Sequence, residues 1–279
     1  MPYSEDIEKR LQSFYATEDI ISAMKTYAGV SIRKTEEIVP NVRAYEKNIL
    51  SVMASLITNY PEQSLTERND GNRIIVAFGS SQGLCGAYNE KIGDALAEVI
   101  TEQDVVFVVG RRLISLLESR HINPESYSDS VLSMSGIHSA LEKTIAQIMD
   151  IYRKKGFYNL TFIFTSIFAN MAQITIEHIL PPDIDRIRAM GPDKKTPLTY
   201  LDTDVIFARA LEEFLYISFY RCYVESLRSE NWYRMRSMEG ASETLKKHIG
   251  ELSALQKYVR QEEITEEMLE ILGSGMFYK

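Results

Sequence analysis

Residues 238–259 read MEGASETLKKHIGELSALQKYV, and this stretch decides the fold. The apolar positions that recur every seven residues are Met238, Leu245, Leu252 and Val259. The alternate positions of the repeat hold Ala241 or Ser242, Ile249, and Leu255 or Gln256. A seven-residue apolar repeat predicts a helix that buries one narrow seam against a second helix.

The helix that carries this seam is long. No proline follows Pro197, and residues 201–279 keep a helical pattern. With a rise of about 1.5 Å per residue, such a helix reaches on the order of 100 Å. A domain of this size is only roughly a few tens of ångströms across, so the helix needs a partner outside that domain.

The N-terminal region supplies a matching seam. Residues 4–58 read as helix, and the apolar residues spaced by three, four or seven are Ile7, Leu11, Phe14, Ile21, Ala28 and Ile32. Pro40 is expected to kink this helix or to start a new segment. The two ends therefore predict an antiparallel coiled coil, a shaft formed by residues 1–60 and 201–279.

Residues 72–198 have a different character. Short apolar or β-branched runs alternate there with amphipathic stretches, and these runs are Ile74–Phe78, Val105–Val109, Leu160–Thr165 and Ile174–Ile179. Alternation of strand and helix predicts a small, Rossmann-like α/β domain with parallel strands. We expect this domain to lie at the foot of the shaft.

A glycine-rich loop, SSQGLCGAYN at residues 80–89, follows the first predicted strand, where a phosphate-binding loop would lie. A Walker loop needs Lys and then Ser or Thr after its last glycine, but Gly86 precedes Ala87 and Tyr88. The dinucleotide spacing G-x-G-x-x-G is also missing. We expect a tight turn whose glycines accept positive φ; an independent nucleotide-binding protein with helical extensions is the alternative.

No catalytic or metal-binding pattern is found, and we predict no cofactor and no enzyme activity for the chain itself. Cys85 lies where a helix start would favour the thiolate, but a nucleophile also needs a base. The four histidines, His121, His138, His178 and His248, have no spacing that predicts a base or a metal site. A mechanical or interaction role follows, with a generic coiled-coil adaptor as a further alternative.

Composition excludes other classes. The formal net charge of −8 argues against a nucleic-acid binder, which needs a basic surface. No secretory signal or membrane span is recognised, and Cys85 and Cys222 form no disulfide framework. We expect a chain of the reducing cytoplasm that docks on other proteins.

Four motifs, in order along nearly the whole chain, resemble those of the gamma subunit of F-type ATP synthases. The loop SSQGLCGAYN is similar to S-D-R-G-L-C-G-[GA]-[FY]-N, and IEKRLQSFYATEDIISAMKTYAGVSIRK looks like the first helix of that family. SENWYRMRSMEGAS is similar to S-E-x-x-x-R-M-x-A-M-x-x-A-[ST]. YVRQEEITEEMLEIL resembles the family ending, with a gap shortened by one residue.

The resemblance implies a central rotor without catalytic groups. Its shaft would turn inside a ring of alpha and beta subunits, and its foot would meet the epsilon subunit and the membrane ring of c subunits. Ion flow would turn this rotor, which couples hydrogen-ion or other ion transport to ATP synthesis or hydrolysis. The implied location is peripheral, at the cytoplasmic face of the membrane (the inner membrane in a bacterium).

The same resemblance implies site residues. Met24 matches a methionine facing the moving lever of a beta subunit, and Arg260 and Gln261 match a pair that hydrogen-bonds a beta loop. The loop residues Gly83, Leu84, Cys85 and Gly86 would belong to a foot-domain turn and to the surface that meets the c ring or epsilon.

Three departures from the family pattern indicate a divergent member, such as an alternative sodium- or proton-driven ATPase. One is the C-terminal GSGMFYK, where Gly-Ala-rich residues are typical. Ser81 and Gln82 stand where Asp-Arg is usual, and the first helix carries more acidic residues than the family norm.

Overall fold

The computed structural model describes residues 2–60, 73–155, 159–189 and 198–275. The chain divides into two compact units. Unit 1 comprises Met1–Tyr27 and Met235–Lys279, and unit 2 comprises Ala28–Arg234. The predicted limits of the α/β domain at 72 and 198 stay a prediction, because residues 61–72 and 190–197 lie outside the described part.

Two long helices run through both units. Helix α1 spans Pro2–Asn59 and helix α6 spans Thr203–Gly275. The structure thus confirms the two long terminal helices that the seven-residue repeat predicts. Helix α1 continues through Pro40, and no new segment begins there. Pro40 is exposed, so the carbonyl group that loses its intrahelical partner to proline can be hydrated instead.

In unit 1 the ends of α1 and α6 pack as an antiparallel pair. Lys25 Nζ lies 3.2 Å from Glu239 Oε1, and the rings of Phe14 and His248 lie 6.3 Å apart. Residue numbers thus rise along α1 as they fall along α6. The buried seam residues of this pair are Ile7, Leu11, Met238 and Leu245. These are positions that the apolar repeat predicts, so the coiled coil is confirmed.

Unit 2 is built on a five-stranded mixed sheet of order β3-β2-β1-β4-β5. The strands are β1 (Arg73–Phe78), β2 (Val105–Val109), β3 (Ser126–Ser128), β4 (Asn159–Phe168) and β5 (Met171–Leu180). The first four are parallel to their neighbours, whereas β5 pairs antiparallel with β4. The prediction of parallel strands is therefore wrong for β5.

The direction of β5 follows from a two-residue turn. Ala169 and Asn170 both have positive φ, 46° and 63°. A turn with positive φ at both central residues is the type that joins antiparallel strands without splaying them. Asparagine tolerates this conformation better than most residues, so the chain reverses directly into β5 instead of crossing over through a helix.

Helices cover both faces of the sheet. Besides α1 and α6, the helices of unit 2 are α2 (Tyr88–Val99), α3 (Arg111–Ser119), α4 (Ile137–Lys155) and the short α5 (Ile184–Ala189). One core contains Ile75 and Ala77 of β1 with residues of α2 and α3. The other contains Val76 and Phe78 with residues of α1, α4 and α6. Strand β1 is buried on both faces, which explains its uninterrupted apolar sequence.

Ion pairs also join α1 to α6 inside unit 2. Glu36 contacts Arg228 at 3.0 Å. Further along α1, Arg43 contacts Glu225 at 2.8 Å, and Glu46 contacts Arg221 at 2.8 Å. Since an ion pair fixes which residues face each other, these contacts set the register of the two helices within this unit.

Candidate functional site

The glycine loop lies at the carboxyl end of the parallel strands, where α/β proteins commonly bind ligands. Strand β1 ends at Phe78, and the Gly79 amide donates to the Val109 carbonyl at the end of β2 (2.7 Å). Gly110 follows β2 and donates to the Ser128 carbonyl of β3 (2.8 Å). The three strand ends are therefore joined to one another by backbone hydrogen bonds.

The polar groups of the loop bond one another. The Ser80 amide donates to Asn89 Oδ1 (2.9 Å), and Asn89 Nδ2 donates to Ser80 Oγ (2.8 Å). Ser81 and Ser130 make a reciprocal pair, each amide donating to the other hydroxyl at 2.7 and 2.8 Å. Since these groups satisfy each other, the loop is a self-contained turn and does not present them to a phosphate.

Positive φ angles in this region fall only partly on glycines. Gly86 has φ of 52°, but the other loop residue in this conformation is Leu84, with φ of 64°. Gly110 has φ of 108°, and a Cβ there would lie 2.7 Å from backbone atoms of Gly79 and Ser80. Gly110 thus allows β1 and β2 to approach closely at their ends.

Cys85 is a buried thiol. Its Sγ lies 3.4 Å from Ser80 Oγ and 3.7 Å from Asn89 Nδ2. Burial raises the pKa of Cys85, and the hydrogen bond between Cys85 and Ser80 offsets this only in part. Burial also raises the pKa of Cys222 well above the usual thiol range. A raised pKa disfavours the thiolate, which is the nucleophilic form.

Neither cysteine should therefore react readily in the folded protein. We expect modification by a disulfide reagent such as DTNB at pH 7.5 to be about 100-fold slower than for a free thiol, because it requires local opening. The rate should continue to rise with pH above the ordinary thiol range, where the rate of a free thiol levels off, since both pKa values are raised. In denaturant, two thiols per chain should react at once; a fast-reacting thiol in the native chain would contradict this prediction.

Helix α6 holds the sheet through the segment SENWYR, residues 229–234. Ser229 Oγ donates to the Thr165 carbonyl of β4 (2.7 Å), and Asn231 Nδ2 donates to Ser31 Oγ of α1 (3.1 Å). Arg234 donates to the carboxylate of Glu230, one turn earlier, and both side chains are 4% exposed. This segment thus contacts both the sheet and α1.

The Glu230–Arg234 pair also lies near the glycine loop. Burial raises the pKa of both Cys85 and Tyr88, and the charge of Glu230 raises both further. The Tyr88 hydroxyl lies 3.4 Å from the Ser226 carbonyl of α6. Burial raises the pKa of Glu230, while Arg234 lowers it. The loop is therefore packed directly on α6 in unit 2.

The other predicted site residues lie in unit 1. Met24 on α1 is partly buried, while Arg260 and Gln261 on α6 are exposed. Of the loop residues, Leu84 is 54% exposed, Gly83 is partly buried and Gly86 is exposed. The loop residues belong to unit 2, and the roles of all these residues stay predictions.

The C-terminal part of α6 exposes a large apolar area. Seven large apolar side chains of this part are between 37% and 70% exposed: Leu255, Tyr258, Ile264, Met268, Leu269, Ile271 and Leu272. An exposed apolar area of this extent is typical of a surface that contacts another protein.

Two kinds of feature are missing from the described residues. No helix among them combines the length and apolar character needed to cross a bilayer. Within the same ranges, no three His, Cys, Asp or Glu side chains come together in a way that could hold a metal ion.

A family profile described as ATP synthase matches residues 4–276. The chain belongs to the ATP synthase family. The match includes both long helices and the whole sheet, and so it agrees with the resemblance that the four motifs carry.

Relatives in the ATP synthase family are gamma chains. An ATP synthase gamma chain of Bdellovibrio bacteriovorus is 28% identical to this chain, and the alignment covers 97% of both proteins. The gamma chain of Heliobacterium modesticaldum is 27% identical and covers 99% of each. As a gamma chain, this member of the ATP synthase family is a rotor subunit and not a catalytic one.

Solved structures of ATP synthases share the fold. A chain of the Tetrahymena thermophila mitochondrial central stalk and c-ring structure has a TM-score of 0.62 at 18% identity, covering 80% of this chain and 99% of that one. A chain of the Euglena gracilis mitochondrial rotor has a TM-score of 0.66 at 13% identity, covering 94% and 99%. At such low identity these likenesses concern the fold, and they confirm the helical shaft with a small α/β domain.

The buried charges of α6 are residues that sequence reasoning missed. Glu230 and Arg234 belong to a motif of the ATP synthase gamma family, so the motif offered a signal. Arg221 and Glu225 belong to none of the four motifs, and on a helix their charge is typical of a solvated face. Only the structure places Arg221, Glu225, Glu230 and Arg234 in the interior.

Proposed function

We propose that this chain is the central rotor that couples ion-driven rotation of a membrane ring to ATP synthesis or hydrolysis in a ring of alpha and beta subunits. The observation that carries the proposal is the antiparallel pair formed by α1 and α6 in unit 1. Two paired helices resist bending better than one, and a rotor has to be stiff to transmit torque.

The helix pair also differs from one side to the other, as the mechanism requires. The α1 surface exposes apolar residues such as Ile20 and Tyr27, at 60% and 47%. The α6 surface of the pair instead exposes charged residues such as Lys247 and Glu251, at 77% and 59%. One such pair would contact three identical beta subunits through three different faces. Each beta site would then have a different affinity, because a conformational shift requires a difference in contact free energy.

The exposed apolar area near the end of α6 fits a surrounding ring of subunits. Apolar side chains that remain in water in the isolated chain would be buried against alpha and beta subunits in the complex, which stabilises the assembly. This burial would hold the rotor in place without directional bonds, so that it can still turn.

Directional contacts would come from Arg260 and Gln261, and an apolar contact would come from Met24. The guanidinium group of Arg260 is exposed on α6 and can donate two parallel hydrogen bonds to a carboxylate of a beta subunit. Gln261 can add an amide contact beside it. Met24 offers a flexible apolar side chain against the moving lever of a beta subunit.

The remaining contacts would be made by the α/β domain. We assign the surface around Gly83, Leu84, Cys85 and Gly86 to contacts with the epsilon subunit or the c ring. Leu84 is the apolar side chain that this loop exposes, whereas Cys85 is buried and would act through the shape of the turn. The chain is a peripheral part of a membrane ATP synthase, and we propose that it lies at the cytoplasmic face, at the inner membrane if bacterial.

Replacing Arg260 with alanine should slow ATP turnover of the assembled complex. If the substitution removes about 1 kcal/mol of contact energy from the rate-limiting step, turnover falls by about fivefold. The measurement is the rate of ATP hydrolysis at saturating ATP by the chain co-expressed and purified with alpha and beta subunits. Arg260→Lys should recover only part of the rate, since lysine cannot form the bidentate contact.

Lys247→Ala is the matched control, because it removes one positive charge from the same helix. Lys247 is 77% exposed and lies about 220° around the helix from Arg260 at 3.6 residues per turn. Its turnover should equal that of the unsubstituted complex. An Arg260→Ala complex that assembles and turns over normally would refute the role of Arg260, while failure of the unsubstituted chain to assemble with alpha and beta would refute the rotor function.

A further inference from the structure

One buried guanidinium group joins four elements of unit 2. Arg221 lies on α6 with its side chain 8% exposed. Its Nε lies 2.8 Å from Oε2 of Glu46 on α1, and its Nη2 donates to Oε2 of Glu177 on β5 at 2.7 Å. The guanidinium carbon also lies 5.5 Å from the ring centroid of Phe164 on β4.

The carboxylates around Arg221 are held as well. Glu46 and Glu177 are only 14% and 24% exposed, so water screens this contact less than it screens a surface pair. Ser218 Oγ, one turn before Arg221 on α6, donates a further hydrogen bond to Glu46 Oε1 at 3.3 Å. We call Glu46, Glu177 and Arg221 the Arg221 triad.

The triad reaches one edge of the sheet. Strand β5 is an edge strand, paired on one side with β4 only. Apolar packing holds a strand against helices without fixing its position along them, because the hydrophobic effect is not directional. The Arg221–Glu177 contact is directional, and it fixes β5 relative to α6, while the Arg221–Glu46 contact fixes α6 relative to α1.

The other described α1–α6 ion pairs of unit 2 include no residue of the sheet. Arg43–Glu225 and Glu36–Arg228 each connect the two helices, and Arg43 and Glu36 are about half exposed. Among the ion pairs of the described residues, those of Arg221 join both long helices and the sheet through one side chain. Among the described residues, removing Arg221 would therefore leave β5 without an ion pair to either long helix.

We propose that Arg221 is a positioning residue for energy coupling, which locks β5, α1 and α6 together so that torque passes between the α/β sheet and the long helices without slip. This inference rests on the rotor function proposed above. Coupling between distant sites is carried by packed elements and salt-bridge networks. The triad is such a network between the sheet and the long helices of unit 2. Its loss should uncouple ion movement from ATP hydrolysis more than it lowers hydrolysis itself.

The test uses the complete membrane-bound enzyme with this chain as its gamma subunit, in inverted membrane vesicles. The triple variant Glu46→Gln/Glu177→Gln/Arg221→Met removes all three charges and leaves no unpaired carboxylate, so it should still fold. The ratio of ions taken up to ATP hydrolysed should fall by about twofold or more. Arg221→Lys, which keeps the charge but cannot bridge two carboxylates as a planar fork, should give an intermediate ratio.

Arg209→Met is the matched control on the same helix. Arg209 pairs with Glu212 in an exposed position, with side chains 78% and 68% exposed, and its variant should keep the parent ratio. A triple variant or an Arg221→Lys variant that is assembled and hydrolyses ATP with the parent ratio would overturn the inference, as would an equal fall in the Arg209→Met control. An unsubstituted chain that does not assemble would instead overturn the rotor function, and this inference with it.

Discussion

Replacing Arg234 with methionine should lower the free energy of unfolding of the chain by about 3–5 kcal/mol, because it leaves a buried carboxylate without its partner. Arg234 and Glu230 are both 4% exposed, and Arg234 also donates to Asn231 Oδ1 at 2.9 Å. Methionine keeps much of the volume but makes neither contact. The measurement is urea unfolding of the purified chain, followed by circular dichroism.

The loss of unfolding free energy in Arg234→Met should depend on pH. Burial raises the pKa of Glu230, and the charge of Arg234 lowers it, so removing Arg234 raises this pKa further. A group whose pKa is higher in the folded than in the unfolded chain contributes stability below its unfolded pKa and loses it as the pH rises through the folded pKa. The gap between parent and variant should therefore be widest at pH 7–8 and narrower near pH 5.

Two further variants separate charge burial from packing. Glu230→Gln/Arg234→Met removes both charges and should recover most of the lost stability, because neither position then leaves an unpaired charge in the interior. Arg236→Met changes an exposed residue of the same helix and should alter stability by less than about 0.5 kcal/mol. If the single Arg234→Met variant is as stable as its parent at pH 8, the Glu230–Arg234 ion pair does not stabilise the folded chain.

Replacing Gly110 with alanine should destabilise the α/β part by about 3 kcal/mol or more, through backbone strain together with a steric clash. Gly110 has φ of 108°, a conformation that residues with a Cβ rarely adopt. An added Cβ would meet backbone atoms of Gly79 and Ser80 at 2.7 Å, and a backbone cannot move aside as a flexible side chain can. Thermal unfolding of the purified variant measures the loss.

Gly240→Ala is a control of opposite sign. Gly240 lies inside helix α6, and an added Cβ would meet nothing within 4 Å. Alanine is favoured over glycine inside a helix by about 0.5–1 kcal/mol, so this variant should be more stable than its parent. A Gly110→Ala variant that melts at the parent temperature would show that the ends of β1 and β2 can separate without cost.

The long helices and most strands could be predicted because their signals are periodic. The seven-residue spacing of Met238 and Leu245 predicts a buried seam, and both residues are buried in unit 1. Strand β3, Ser126–Ser128, was missed because three residues of sequence SYS have neither length nor apolar alternation. The direction of β5 was missed because it depends on φ angles at Ala169 and Asn170, which the apolar pattern of a strand does not encode.

The burial of Arg221 and Glu225 in unit 2 could not be predicted from the sequence. A charged residue on a helix is exposed or buried according to what packs against it, and the partners of Arg221 are 175 and 44 residues away in the chain. No local pattern connects such positions. The proposed coupling residues Met24, Arg260 and Gln261 pose a different problem, because the groups that they would contact belong to other subunits.

The burial of both cysteines has a practical consequence for watching this molecule rotate. A fluorophore or a bead can be attached through one added sulfur atom without first removing the native ones, since neither Cys85 nor Cys222 would compete for the label. Ser115, an exposed residue of α3, differs from cysteine by a single atom. A Ser115→Cys chain could carry an optical marker on its outer surface while every residue of its interior stays native.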